Sequence, residues 1–407
     1  MAAQLTEIRE GKEKLKTAQV LKICYRFKYN HHVNPTSFCL IHERFIQTEA
    51  VLQPHIYPVY ISEDVARFIE LDQQMRSEIL NTRKHPILSH ALTANAVKVI
   101  DVPRKDLDRI VSQLPDDRRR VVWMFHTTRC GSTVWSQIFN SLPDWTVFSE
   151  PDTHFYRMIY LESDFDYEKL TQTKQYEDMV VSSIQLYLNL APKDNNIFWK
   201  ATITDYHMIP IIQKRFPHHK ILFSYRDVLP SGKSYFKAFA NLDLMRFVVY
   251  YVLNPWLPRG SDEDRIHACW MAFTNGFSKT RCLTAIRSAL PDPGVMEWFV
   301  LFWASTITMV QEQQRSGLKI KSIKYEDMQT EPAKVINEVF KYVDIPTNFV
   351  ELGLEATEKD SQAGLHFDQQ HRKKNPAWVR TSESVRKCNA VLSAFDLPDL
   401  DSSFTFD

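Results

Sequence analysis

Apolar and polar positions follow two different patterns along this chain of 407 residues. From Arg118 onward, short apolar runs rich in β-branched residues recur at 121–125, 197–199, 221–225 and 320–325, with a weaker one at 146–148. Helical stretches separate them. Short apolar runs alternating with helices predict βαβ units and a parallel β-sheet flanked by helices, an α/β fold. Val134, Ile138 and Leu142 fall at i, i+4 and i+8 before Pro143, which predicts a helix directly after the first run. Val335, Ile336, Val339, Phe340 and Val343 mark one face of a second helix over 332–343, with Thr330-Glu331-Pro332 as its capped start. Residues 295–310 read as a buried helix, carrying Glu297, Ser305 and Thr308 within an apolar run. The first ~115 residues lack such regularity. They are rich in charge, with one helical stretch over 104–114 that runs into a Pro-Asp-Asp turn. The chain thus divides into an N-terminal extension of unassigned role, residues 1–115, and an α/β domain, residues 116–407.

Composition narrows the class. Lys and Arg number 50 against 49 Asp and Glu, a formal charge of +1, which argues against a protein that coats nucleic acid. Nothing reaches the ~18 uninterrupted apolar residues of a membrane span. The polar start MAAQLTEIREGKEKLK is no secretory signal. None of the six cysteines forms CxxC or a zinc-type pair, and the one Asn-x-Thr site, at Asn34, is disabled by Pro35. These features predict a cytoplasmic protein with reduced thiols, no membrane partner, no nucleic-acid partner and no metal site. Glycine, at nine residues, is scarce, roughly 2% against a usual ~7%. Each one is therefore worth locating.

The most informative stretch is VVWMFHTTRCGSTVWSQIF. A strand ends near Phe125, a turn runs through His126-Thr-Thr-Arg-Cys-Gly-Ser-Thr, and a helix begins near Thr133. Strand, small-residue turn and helix form a concavity of backbone N–H groups that favours an oxyanion. Gly131 lets the backbone approach the ligand, Ser132 and Thr133 add hydroxyls, and Arg129 supplies a fork of donors. An ordinary capped βα connection would share this local pattern. The loop is no Walker A sequence, and the decoy Gly232-Lys233-Ser234 has Asp227 where the first glycine should stand.

At these residues the sequence resembles the sulfotransferase family, whose donor is 3′-phosphoadenosine 5′-phosphosulfate. Arg129-Cys130-Gly131-Ser132-Thr133 is similar to the family's 5′-phosphosulfate loop, with Cys130 in place of the usual serine. Arg226 closes the run ILFSY and Ser234 follows eight residues later, which resembles the family's 3′-phosphate motif. Tyr325-Glu326-Asp327 looks like the segment whose tyrosine lies near the nucleotide. The basic stretch around Arg372, Lys373 and Lys374 resembles the segment that covers the donor's 3′-phosphate, and residues 378–392 resemble the terminal helix of some relatives. The resemblance spans about residues 118–395. It implies a P-loop NTPase-like architecture and a transferase acting on a hydroxyl or amine of a small-molecule or carbohydrate acceptor. It also leaves a homodimer open.

What the resemblance implies for catalysis is less complete. Arg129 would stabilise the leaving phosphate, and Lys200, at the end of IFWKA, matches a lysine beside the transferred group. The histidine that one branch carries two residues later is here Thr202. In other branches a carboxylate serves, and Phe148-Ser149-Glu150-Pro151-Asp152-Thr153-His154 resembles their Glu-Pro segment. Glu150 and His154 are thus the candidate bases, with Asp152 third. A carboxylate would need its pKa raised by burial, whereas histidine is already near the working range. Two other readings stay open: a non-catalytic nucleotide-binding module on the same fold, and a P-loop kinase-like nucleotide enzyme.

Overall fold

The computed structural model describes residues 17–26, 38–151, 173–203, 205–247, 294–358 and 377–406. Two five-stranded sheets organise them. The second carries the expected parallel strands: β6 (Val121–His126), β7 (Trp145–Ser149), β8 (Asn196–Lys200), β9 (Lys220–Tyr225) and β10 (Ile320–Lys324). Its order is β10-β9-β6-β8-β7, and each pair runs parallel. The chain steps out to β7, back through β8, then across β6 to β9 and β10. Strand order therefore reverses about β6, and such a switch point opens a crevice at the carboxyl ends of the strands.

Burial on both faces explains why these strands were legible. Every residue of β6 is buried. Its side chains alternate between faces as the pleat requires. Trp123 and Phe125 join one apolar cluster with Trp199 and Phe223, while Val122 and Met124 join another with Phe198, Leu222 and Ile323. The second cluster is covered by three helices, α4 (Ser132–Ser141), α10 (Pro332–Tyr342) and α11 (Val350–Thr357). The first is covered by α5 (Lys174–Leu190) and α8 (Val295–Arg315). Helix α8 is buried on almost every side from Met296 to Ile307, as an apolar helix in the middle of a core should be. Helix α7 (Val228–Phe247) follows β9, α6 (Met208–Arg215) precedes it, and α12 (Ser382–Ser393) lies on α8.

Two boundaries differ from the sequence reading. Tyr325 does not end the last strand but opens the short helix α9 (Tyr325–Thr330). Thr330 therefore closes that helix, its hydroxyl returning to the Glu326 and Asp327 carbonyls, and is not the cap of α10. Glu331 holds the cap position without a side-chain bond, and Pro332 stands in the first turn, where its missing N–H costs nothing.

The N-terminal extension, irregular in its polar pattern, is an antiparallel sheet. Strands β1 (Ala18–Arg26), β2 (Phe38–Ile46), β3 (Ile56–Ile61), β4 (Val65–Glu70) and β5 (Lys98–Pro103) adopt the order β2-β1-β5-β4-β3. The turn α1 (Arg76–Ile79) and helix α2 (Leu88–Asn95) lie between β4 and β5, and α3 (Arg104–Val111) follows. Val59, Phe68 and Ile100 of this sheet share one continuous core with Trp123, Phe148 and Tyr187 of the α/β region. Tyr187 on α5 ties the two together, its hydroxyl bonding the Pro58 carbonyl at 3.0 Å and the Pro151 carbonyl at 3.3 Å.

Candidate functional site

The carboxyl ends of all five parallel strands converge on one region. Beyond β6 the backbone turns through residues 127–131 into α4. Gly131 adopts φ 80° and ψ 11° at the helix N-cap. A Cβ there would stand 2.6 Å from Tyr325 ring atoms, so both the left-handed backbone and the crowding select glycine. Ser224 Oγ of β9 bonds the Cys130 carbonyl at 3.1 Å, and Ser231 Oγ of α7 bonds the Thr128 carbonyl at 2.7 Å. These bonds hold the loop open in one shape. Cys130 is buried, and its thiol lies by Ser224 and Thr127, with desolvation raising its pKa. The serine-to-cysteine change therefore affects the side of the loop that packs inward.

Among the described residues five that are not glycine have positive φ. Three are aspartates, which tolerate that conformation. The other two are Arg129, φ 63°, and Glu150, φ 50°. Strained backbone of this kind costs about 1–3 kcal/mol and concentrates at functional sites. Both residues border the same crevice.

On one side of it stands a charged group built from three strands and a helix. Lys200 Nζ, at the end of β8, lies 2.5 Å from Glu150 Oε1 and 3.1 Å from Thr133 Oγ1 in the first turn of α4. Glu150 follows β7, and its amide donates to the Lys200 carbonyl at 2.9 Å. Burial pulls the Glu150 pKa upward, but the Lys200 charge, then His126 and the Lys200 hydrogen bond, outweigh it and leave the carboxyl below its ordinary range. The raised pKa that a carboxylate base was expected to need is thus absent here, because the lysine is close enough to hold the anion. Sequence reasoning also missed two neighbours. His126 Nε2 is 3.9 Å from Glu150 Oε1, and burial followed by the Lys200 charge pushes its pKa down to about 4. His90, on α2, also acts electrostatically on Glu150, and the adjacent Ser89 amide donates to the Glu150 carbonyl at 3.2 Å. The only signal for either was a histidine beside a motif, which says nothing without the fold.

On the other side the two arginines of the separate motifs approach through intermediaries. Arg129 Nε donates to Ser234 Oγ at 3.1 Å across 105 residues of chain. Arg226 places its guanidinium carbon 4.7 Å from the centre of the Tyr325 ring, whose edge covers Gly131. Its Nε is buried without a hydrogen-bond partner, and the nearest carboxylate, Glu326 Oε1, is 3.6 Å away. Glu326 Oε2 is likewise buried and unpartnered. Burial first, then the Asp227 charge, raise the Glu326 pKa despite Arg226. A buried guanidinium donor without an acceptor, beside a glycine no side chain could replace, fits an anionic phosphate or sulfate oxygen.

The remaining expected residues are less informative. Thr202 is buried and its amide bonds Asp205 Oδ2 at 2.9 Å, a structural turn. Asp152, His154, Arg372, Lys373 and Lys374 lie outside the described residues. Among the described residues no group of three or more His, Cys, Asp or Glu could hold a metal ion, and no helix is long and apolar enough to cross a membrane.

Known proteins supply a second line of comparison. The sulfotransferase domain family matches residues 119–391, more than half of the chain. Solved structures with slight overall similarity include the sulfotransferase domain of the Synechococcus PCC 7002 olefin synthase, at 13% identity and TM-score 0.34, covering 70% of this chain and 99% of that one. The sulfotransferase domain from the curacin biosynthetic pathway gives 14% identity and TM-score 0.35, covering 70% and 100%. Sulfotransferase STF9 from Mycobacterium avium gives 12% identity and TM-score 0.36, covering 80% and 86%. Comparison with curated proteins returns no match.

Proposed function

The chain belongs to the sulfotransferase domain family, and from that membership we propose that it moves a sulfuryl group from 3′-phosphoadenosine 5′-phosphosulfate to a hydroxyl or amine of a small-molecule or carbohydrate acceptor. The observation that carries this reading is the bond between Arg129 and Ser234, which joins the 5′ loop to the 3′-phosphate motif at the mouth of a parallel sheet.

In this reading the amides of residues 130–133 and the Arg129 guanidinium receive the 5′-phosphosulfate, while Arg226 and Ser234 receive the 3′-phosphate. The Tyr325 ring, stacked under Arg226 and over Gly131, borders the nucleotide between them. The acceptor oxygen or nitrogen attacks sulfur, the bond from sulfur to the phosphate oxygen breaks, and 3′,5′-adenosine diphosphate leaves. Positioning and charge stabilisation carry most of such a transfer. Lys200 bridges the loop and the acceptor side, since its ammonium touches Thr133 and Glu150 together. Glu150 takes the acceptor proton. As long as Lys200 grips it the carboxylate is a poor base. When Lys200 turns a proton toward the sulfuryl oxygens, Glu150 loses that partner and gains basicity at the moment it is needed. Arg372 and Lys373 complete the donor site in the manner of the family, and His154 is the alternative base. A cytoplasmic setting with reduced thiols belongs to the same reading.

The test combines binding and turnover. Labelled donor with a panel of alcohols, phenols, amines and sugars should give transfer to at least one class. Calorimetry should detect 3′,5′-adenosine diphosphate more tightly than ATP with magnesium. Binding of the bisphosphate without transfer to any acceptor would favour a non-catalytic module, and no binding would end the proposal.

A further inference from the structure

Arg226 presents a problem of support. Its Nε makes no hydrogen bond, and among the described residues its guanidinium meets the Tyr325 ring and a carboxylate at 3.6 Å. An arginine whose donors must remain available for a ligand has to be fixed through its backbone and neighbours instead.

That support comes from the far end of the described chain. The Arg226 carbonyl accepts from Trp303 Nε1 at 2.8 Å. The next residue, Asp227, pairs with Lys324 at 3.0 Å. Both partners of that buried pair are completed by residues 403–406. Phe404 N donates to Asp227 Oδ1 at 2.9 Å, and Ser403 Oγ donates to Asp227 Oδ2 at 3.1 Å. Lys324 Nζ donates to the Phe404 carbonyl at 2.8 Å and also to Ser403 Oγ. The Phe404 ring meets Trp303 edge-on at 5.6 Å and Tyr225 at 5.9 Å. One short segment thus seals the ion pair and braces the indole on either side of Arg226.

We infer that residues 403–406 are a positioning strap for the 3′-phosphate subsite, with Phe404 acting through Asp227 and Trp303 to hold Arg226 ready for the anion. This rests on the donor site proposed above. Among the described residues the bonds and ring contacts that Ser403 and Phe404 make outside the strap run to Tyr225, Asp227, Trp303 and Lys324, around Arg226, so its contribution falls on ligands that carry a 3′-phosphate.

Calorimetry on the full chain separates the possibilities, with 3′,5′-adenosine diphosphate and 5′-AMP as probes. Phe404→Ala should weaken the bisphosphate about tenfold, the equivalent of one to two lost hydrogen bonds, and change 5′-AMP by less than about twofold. Phe404→Leu should restore most of the difference. An equal loss for both probes, or an unchanged ratio between them, overturns the strap. Should Phe404→Ala fail to fold, Ser403→Ala removes only the hydroxyl bonds, and the same selective loss of about threefold is expected. If the wild-type protein shows no preference for the bisphosphate over 5′-AMP, the donor-site reading itself is at fault, and the strap falls with it.

Discussion

Two carboxylates stand at opposite sides of the crevice, each beside one cation, and the protein treats them in opposite ways. Glu150 meets the Lys200 ammonium at 2.5 Å, and its pKa is drawn down although burial pulls upward. Glu326 lies 3.6 Å from the Arg226 guanidinium, and its pKa is raised because burial and Asp227 outweigh the arginine. The presence of an opposite charge does not decide the outcome. Glu150 has a lysine at hydrogen-bond distance and two histidines around it. Glu326 has a neighbouring carboxylate, a cation beyond hydrogen-bond reach and one oxygen with no partner. The first pair is a finished unit that chemistry must reopen. The second is loosely held, and in the proposed donor site it is the carboxylate that a 3′-phosphate would displace.

Breaking the first pair should have the largest effect. Lys200→Met removes the charge that joins Thr133 of the loop to Glu150, and if Lys200 serves the transfer as proposed, turnover should fall by about 10³, the scale of losing a preorganised donor. Glu150→Gln should cost about 10² to 10⁴ in turnover as a lost general base. Its affinity for 3′,5′-adenosine diphosphate should stay within a few-fold, because in the proposed reading the carboxylate serves the acceptor and not the nucleotide. Turnover numbers and calorimetry on the two variants decide this. Near wild-type turnover in Glu150→Gln would transfer the role of base to another residue, His154 first.

The contrast extends to acid stability. His126, behind Glu150, is buried, and desolvation pushes its pKa from 6.5 down to about 4. Between those values the unfolded chain binds the proton and the folded one does not. Stability from this residue is complete above pH 6.5 and declines as pH falls toward 4, by about 3 kcal/mol in all. Glu326 has the opposite slope, since a raised folded pKa means the folded state binds the proton first as pH falls. Denaturant melts across pH 4 to 7 should therefore show a net loss on acidification, and His126→Gln should flatten it. An unchanged slope in that variant would place the acid sensitivity elsewhere, with His219, buried and lowered to about 3, the next residue to replace.

Much of this architecture could be read before any coordinates, for a physical reason. Strands buried on both faces carry uninterrupted apolar runs, so β6, β8 and β9 stood out. The segments Arg129 to Thr133 and Arg226 to Ser234 were legible as strand-turn-helix connections, and the fold brings them together through the Arg129–Ser234 bond. The antiparallel sheet was not legible. Strand β2 is largely exposed, β1 has two register shifts, and β3 carries Pro58 beside a bulge, so alternation is broken in all three. Residues 403–406, Ser-Phe-Thr-Phe, alternate over too short a stretch to predict an element, and their role lies in tertiary contacts. The ionisation of Glu150 was not legible for a similar cause. It is set by the 2.5 Å approach of Lys200 from another strand, which no local spacing announces.

The smallest effect tests the loose pair directly. Glu326→Gln keeps the shape of the side chain and removes its charge. If Glu326 competes with the 3′-phosphate for Arg226, the variant should bind 3′,5′-adenosine diphosphate about three- to fivefold more tightly at neutral pH, the scale of one partly screened charge contact. The advantage should shrink as pH falls, because the wild-type carboxyl, with its raised pKa, takes up a proton earlier than an ordinary glutamate and stops repelling the phosphate. Binding of 5′-AMP, without a 3′-phosphate, should not respond. A matching series on Glu150→Gln should show no such pH-dependent gain, since that carboxylate is held by Lys200 and lies away from the 3′-phosphate. Weaker bisphosphate binding in Glu326→Gln would mean that the carboxylate orients Arg226 and does not compete for it, and the two corners would then differ in strength alone.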